Sequence, residues 1–485
     1  MGLDAPKPKP AKRKLNTPEL DRYPLGGDKS APPTTDASSA NIDWSHKLTK
    51  SAAIHIADAL ESPSAGDPRL QLLKLPPGRG KTAIVVMALG LLQERLGSRL
   101  PFVILVSRAI RDRRGWDKTI VSWNESHPDN ILNPFLIETY TRFSNILKDQ
   151  KSRAQLVKET GKDLVLAIDE IHNYKNPTSV RSKQLQKLSY ARKIGATATP
   201  LTNNIPIDIC SYLVMAGYYK NKSRFMSETG LADRLGRDSE LLVYDEAGRI
   251  SDVIWPGYAD VRKQMARVLY APHYSDDNLV MPGVNSEVVQ LERNEDLVSD
   301  VESLGRAYRK RMFDSAAEFV NAVRERINSD KQRIEELIKI ASSDDVVQPL
   351  VFYWHVSTRD ALADALDEAG IGYQEVSGSS SISNVDDTVT DKPILIQYIA
   401  GSEGVEFKNS NTSVFYENQG SFTRLEQARG RNVRRNMTGT VDHYYFVAQE
   451  HFDYQVFERV SKASELSAAE IEDIALEAAN VERLD

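Results

Sequence analysis

The sequence predicts an α/β protein of two parallel-sheet lobes with a mostly helical segment between them. Three observations carry this expectation. Short apolar runs alternate with helical segments from Gln71 onward, and the same rhythm restarts at Pro349. Between the two stands a charged stretch, from about Asn221 to Asp345, that is mostly helical in pattern. Strands of a βαβ array are buried on both faces, so they read as near-continuous apolar runs, and ligands collect at their carboxyl ends.

Taken in order, residues 1–40 are rich in Pro, Lys, Ser and Ala and lack hydrophobic periodicity, so they are expected to be a disordered tail. The basic cluster from Lys7 to Lys14 suits either a solubilising role or contact with phosphates or a nuclear-import receptor. Residues 41–220 are expected to form the first lobe: a strand in QLLKL, a helix in TAIVVMALGLLQERL, then strands in PFVILVS and DLVLAIDE. Residues 221–345 are expected to be a helical linker or insert, with Arg306–Ile340 a long helix or helix pair. Residues 346–485 are expected to form the second lobe, with strands in PLVFYWHV, KPILIQYIA and TSVFYEN and a helix over Thr358–Ala369.

Composition narrows the class. Hydrophobic residues at 41% and charged residues at 27% fit an ordinary globular chain, and no apolar run is long enough to span a membrane. The basic N-terminus has no apolar segment behind it, so no secretory signal is expected. The single cysteine, Cys210, excludes a disulfide framework and disfavours zinc ligation, which points to a reducing intracellular setting. That setting is expected to be cytoplasmic, with a nuclear one left open. The net charge of −6 offers no bulk attraction to nucleic acid, so any such binding must rest on local basic patches.

Several motifs carry chemistry. Leu75-Pro-Pro-Gly-Arg-Gly-Lys-Thr82 follows a strand and opens a helix, the setting of a phosphate-binding loop. Pro77, Gly78, Arg79 and Gly80 would wrap the phosphates, Lys81 would reach the β- and γ-phosphates, and Thr82 would ligate Mg2+. The consensus glycine at the first position is replaced by Leu75. In LVLAIDEIH, an apolar strand delivers Asp169 and Glu170 to its carboxyl end. Asp169 would hold Mg2+ through water, and Glu170 would polarise the attacking water. Read alone, such a pair is as often a solvated surface pair; its place downstream of a phosphate loop favours catalysis. Gly195-Ala-Thr-Ala-Thr-Pro supplies hydroxyls from Thr197 and Thr199 that can bond the acidic motif, with His172, and relay nucleotide state.

In the second lobe, Ala400-Gly-Ser-Glu-Gly-Val-Glu-Phe407 is a glycine-punctuated loop whose Gly404 would approach the nucleotide. It is followed by Gln427-Ala-Arg-Gly-Arg-Asn-Val-Arg434, where helical geometry would put Gln427, Arg431 and Arg434 on one face. Two guanidiniums there suit a γ-phosphate presented across a cleft. Arg108, Arg111, Arg113, Arg114 and Lys118 form the densest basic run of the first lobe and suit the phosphates of a polymer, although charge runs are often only solvated.

GRGKT, DEIH, TATP, GSEGVEF and QARGRNVR, in that order, resemble motifs I, II, III, V and VI of superfamily-2 helicases and translocases. The nearest resemblance is to Swi/Snf-type DNA translocases, through Asn173-Tyr-Lys-Asn176 after the acidic motif, Trp116-Asp-Lys-Thr-Ile-Val-Ser-Trp123, Glu138-Thr-Tyr-Thr141, Met281-Pro-Gly-Val284 and the closing stretch from His443 to Lys462. The resemblance runs from about Asn41 to Leu466 and implies two RecA-like lobes, ATP and Mg2+ as cofactors, and nucleic acid, expected to be double-stranded DNA, as partner. A protein partner in a replication, transcription or repair complex would also fit. No glutamine stands within Trp44–Ala53, where the family places an adenine-reading one, and Ser402-Glu403-Gly404 replaces the remodellers' glycine-rich run. These departures and the lack of room for reader domains point to a compact viral, phage or plasmid motor. A strand-separating helicase on DNA or RNA, and an ATPase switch subunit that changes partners, stay open as alternatives.

Overall fold

The computed structural model describes residues 42–61, 67–76, 78–97, 99–112, 114–198, 200, 206–231, 242–244, 250–253, 255–272, 282–377, 389, 391–398, 407, 409–433, 439–448, 452–461 and 468–481. The tail expected over residues 1–40 lies outside them.

The first lobe runs through α1 (Lys47–Glu61), β1 (Leu70–Lys74), α2 (Lys81–Leu96), β2 (Phe102–Val106), α3 (Arg108–Asp112), α4 (Gly115–Ser126), β3 (Leu136–Thr139), α5 (Tyr140–Lys148), α6 (Gln150–Thr160), β4 (Val165–Ile168), α7 (Val180–Leu185), β5 (Arg192–Thr197) and α8 (Pro206–Ala216). Strands β2 and β4 are buried at every position, as their unbroken Val/Ile/Leu runs require. The sheet order is β3-β2-β4-β5-β1-β8, parallel throughout. One apolar cluster on each face completes the core, with Leu72, Leu105, Leu166 and Ile168 in one and Leu73, Ile104, Val106 and Ala167 in the other.

The stretch from Asn221 to Asp345 is not a separate linker. It carries α9 (Lys222–Glu228), a small ribbon of β6 (Leu242–Tyr244) and β7 (Ile250–Val253), α10 (Tyr258–Val268), β8 (Leu269–Tyr270), β9 (Gly283–Leu291), α11 (Glu295–Arg309), α12 (Ala316–Asn328) and α13 (Lys331–Ala341). β8 closes one edge of the first sheet beside β1, and Phe225, Trp255, Val261 and Val268 join the first lobe's core. β9 closes one edge of the second sheet, while Leu297, Val301, Phe319 and Val323 belong to the second lobe's core. The expected helix pair over Arg306–Ile340 is the end of α11 followed by α12 and α13 as separate helices. Ser315 accepts from Glu318 N at the start of α12, and Asp330 precedes α13. The helical periodicity was legible; the apolar stripes that assign each helix to a lobe are a tertiary property.

The second lobe continues through β10 (Leu350–Tyr353), α14 (Val356–Glu368), β11 (Gln374–Val376), β12 (Ile394–Gln397), β13 (Thr412–Phe415), α15 (Phe422–Arg429), β14 (Thr440–Ala448), α16 (Phe452–Ser461) and α17 (Ala468–Ala478). Its sheet is again parallel, in the order β11-β12-β10-β13-β14-β9. Arg333 of α13, fully buried, ties the lobe together. It donates to Tyr416 O (2.6 Å) and Asn328 Oδ1 (3.0 Å) and pairs with Asp453 of α16. The chain is thus an α/β protein with two RecA-like parallel-sheet lobes. Among the described residues, no helix is long and apolar enough to cross a membrane.

Candidate nucleotide-hydrolysis site

At the carboxyl end of β1 the chain turns through Gly78 (φ 74°) and Gly80 (φ 79°), then enters α2 at Lys81. Both glycines hold the left-handed conformation that a side chain would strain, so residue choice here follows from the backbone path. The turn points the unpaired N–H groups of the first turn of α2 outward, a ready seat for an anion. Gly78, Arg79, Gly80, Lys81 and Thr82 lie together on this turn; Pro77 lies outside the described residues.

The acidic pair closes the site from β4. Asp169 N bonds Leu105 O (2.9 Å), continuing the pairing with β2, and the next residue, Glu170, turns sharply at φ 41°. A non-glycine residue held there is strained, and such strain gathers at functional sites. The turn sets Glu170 Oε1 3.8 Å from Lys81 Nζ, which also donates to Leu75 O (3.3 Å). Glu170 Oε2 stands 3.2 Å from His172 Nδ1, and that nitrogen is 2.9 Å from Thr197 Oγ1. Lys81, Glu170, His172 and Thr197 therefore meet; Thr199 lies outside the described residues.

The two carboxyls are pushed apart in acidity. Burial, reinforced by the Glu170 charge, raises Asp169 to about 6. Burial also opposes ionisation of Glu170, but the Lys81 ammonium and hydrogen bonds from His172 and Thr197 outweigh it and hold Glu170 at about 2. The donors suit Mg2+. Asp169 is a buried carboxylate whose ionised form lacks a full counter-charge, and Thr82 adds a hydroxyl oxygen. Magnesium is ordinarily held by one or two such oxygens plus substrate phosphates. Among the described residues no group of three or more His, Cys, Asp or Glu forms a protein-only metal cage.

Beside this site lies a cleft of about 770 Å3, where the loops after β2, β3 and β4 converge. Arg108, Arg111 and Arg114 line it, with Arg142 and Arg181 opposite. Glu138 is buried beneath them and braces Arg111 (Nη1–Oε1 2.6 Å) and Arg142 (Nε–Oε2 3.6 Å), leaving a clear excess of positive charge. Arg181 donates to Thr141 Oγ1 (3.0 Å) and lies over the Tyr140 ring. The cleft touches the acidic turn directly: Tyr140 OH donates to Asp169 O (2.6 Å), and Asn173 Nδ2 to Glu170 O (3.0 Å). Arg113 lies outside the described residues. Sequence reading missed Arg142 and Arg181; the signal was the convergence of neighbouring strand ends, which a parallel sheet imposes. A larger hollow of about 1020 Å3, lined by Trp44, Trp123 and Met87, reaches the far end of α2 at Gly97, away from this chemistry.

The second-lobe residues depart from expectation. α15 ends at Arg429, capped by Gly430, so Gln427 and Arg431 do not share a continuous helical face. Gln427 is buried on the helix, while Arg431 sits in the following turn, its carbonyl bonded by Phe407 N (3.1 Å). Gly430 N still bonds Glu426 O (3.2 Å), Arg431 N tightens onto Ala428 O (3.0 Å), and Asn432 fixes the exit through Ser413 (3.1 Å) and Ser410 (3.3 Å). Arg434 and Gly404 lie outside the described residues.

No family model matches the chain. Among solved structures, it is similar to the SWI2/SNF2 ATPase core of Sulfolobus solfataricus in complex with double-stranded DNA. The likeness covers 91% of this chain and 94% of that one, at 12% identity and a TM-score of 0.37.

Proposed function

We propose that this chain is a nucleic-acid-dependent ATPase that moves along double-stranded DNA. The observation that carries the reading is a junction. Lys81 and Glu170 stand 3.8 Å apart at the mouth of a glycine turn, and the same acidic turn is bonded to a cleft lined by five arginines. Phosphate chemistry and polymer binding thus share a wall.

In this reading Gly78 to Lys81 seat the triphosphate, and Lys81 faces its outer phosphates. Glu170, held ionised, orients the attacking water, while His172 and Thr197 fix its carboxylate. Thr82 and Asp169 would hold Mg2+, which supplies charge neutralisation on the phosphates when bound. Arg431, with Arg434, is assigned to the transition-state charge once the lobes close, with Gln427 and Gly404 beside the nucleotide. Thr199 is assigned with Thr197 to relaying nucleotide state. Arg108, Arg111, Arg113 and Arg114, joined by Arg142 and Arg181, grip backbone phosphates, which carry no sequence information.

The test is the ATPase rate with no polymer, duplex DNA, single-stranded DNA and RNA. Strong stimulation by duplex DNA, with a third strand stripped from a triplex while the duplex stays paired, is the expected result. Stimulation by RNA alone, or separation of a tailed duplex, would move the assignment to a strand-separating helicase. Slow turnover raised only by a protein partner would mark a switch.

A further inference from the structure

Asp169 is held from four directions, two through its backbone and two through its carboxylate. Its N–H continues the sheet to Leu105, its carbonyl accepts Tyr140 OH, and its Oδ1 accepts the N–H of Glu170 at 3.0 Å. The fourth bond is the one that reaches the carboxylate from outside its own turn. Oδ2 accepts the indole N–H of Trp116 at 3.2 Å, from a residue 53 positions earlier on a different element. Trp116 is buried, with 2% of its surface exposed, and an indole has one donor and no acceptor. The bond therefore fixes the plane of the carboxylate while leaving each oxygen a further lone pair.

What carries Trp116 makes the bond informative. Helix α4 begins at Gly115, and the residue capping it is Arg114, a non-glycine residue at φ 53°, ψ 34° with no side-chain cap. Its carbonyl accepts the N–H of Lys118, so Arg114 is part of the first turn of α4, and its exposed side chain lines the arginine cleft. One helical turn thus presents a cation to the cleft and, two residues later, an indole to the acidic site. A phosphate held by Arg114 would therefore bear on the turn that carries Trp116.

We infer that Trp116 is a positioning residue: its N–H sets the Asp169 carboxylate for the metal–nucleotide complex and transmits to it the occupation of the arginine cleft. This rests on the ATPase reading above. Partners that orient a ligating carboxylate typically change metal affinity by about 10- to 100-fold when removed.

The experiment replaces Trp116 with phenylalanine and with benzothienylalanine, which keeps the ring volume and removes only the N–H. Mn2+ binding to the full chain with a non-hydrolysable ATP analogue is measured by electron paramagnetic resonance, with and without a short duplex. Both variants should bind Mn2+ about 10- to 100-fold more weakly, and the tightening that duplex DNA confers on the unaltered chain should vanish. Thermal unfolding is followed in parallel, since a merely structural tryptophan would lower the melting temperature and leave Mn2+ affinity alone. Unchanged Mn2+ affinity in the benzothienylalanine variant, or duplex-induced tightening that survives in it, overturns the inference while the ATPase reading stands. An unaltered chain that binds no Mn2+–nucleotide, or binds it equally well as Lys81→Ala, overturns both.

Discussion

Single residues show where this fold spends stability on something other than packing. Lys81 and Glu170 form an ion pair that binding would remake around a phosphate. Lys81→Ala is expected to impair nucleotide binding and turnover together, whereas Glu170→Gln should retain binding and lose hydrolysis by about 100-fold or more. Steady-state turnover and nucleotide titration separate the two. Lys193 is a different kind of residue. It sits in β5 with 1% exposure, and its ammonium donates to Ala191 O at 2.8 Å. Burial, with the nearby Arg69 charge, lowers it from 10.5 to about 7. The folded chain thus binds fewer protons than the unfolded chain between about pH 7 and 10.5, and stability rises with pH across that window. The slope is about 1.4 kcal/mol per pH unit from this group. Below pH 7 the cost of keeping the buried amine charged is present in full. Lys193→Met should remove that slope and stabilise the chain at neutral pH, read from urea unfolding at a series of pH values.

At the level of elements, the sequence was most informative where period and punctuation agree. The strand–glycine–helix order around Gly80 and the apolar runs of β2 and β4 are enough to mark the glycine turn and the acidic turn from the sequence. The arginine cleft was half legible. Arg108, Arg111 and Arg114 stood out as a run, but Arg142 and Arg181 are isolated in sequence and join them only because β3 and β4 flank β2. The expected helical face over Gln427 to Arg434 breaks locally, where Arg431 N tightens onto Ala428 O and Asn432 is held by Ser413 and Ser410, so α15 ends at Arg429. From the sequence, Gly195 shows only as the start of a threonine loop. In the structure a Cβ at that position of β5 would lie 2.4 Å from Ile171 Cδ1, and Ile171 is fully buried directly after the strained Glu170. Gly195→Ala should therefore cost about 1–3 kcal/mol through overpacking. It should also lower turnover by displacing Ile171, and with it the Glu170 turn. Unfolding and ATPase rates measured on the same variant check both, and wild-type turnover at lowered stability would show that Ile171 gives way outward.

For the whole molecule, the net charge of −6 and the arginine cleft make opposed expectations about nucleic acid. Bulk charge repels a polyanion weakly through salt, whereas cations gathered within one cleft meet phosphates directly and release counterions. The cleft should win at close range, so association should be sequence-tolerant and fall steeply with salt. The choice of variants follows from the bonding. Arg111 is braced on buried Glu138, so removing it would strand a carboxylate and confuse a binding effect with a folding one. Arg108, Arg114 and Arg181 can be replaced without breaking that brace. Each replacement by glutamine should lower the slope of log K against log salt by about 0.9 for every duplex phosphate that is no longer neutralised. The triple variant should therefore show a slope shallower by roughly 2 to 3, along with weaker DNA-stimulated turnover at moderate salt. Basal turnover should persist, because the glycine turn and Lys81 lie outside the cleft. Fluorescence anisotropy of a labelled duplex across a salt series gives the slope. A triple variant with the original slope would place the polymer on another face of the protein.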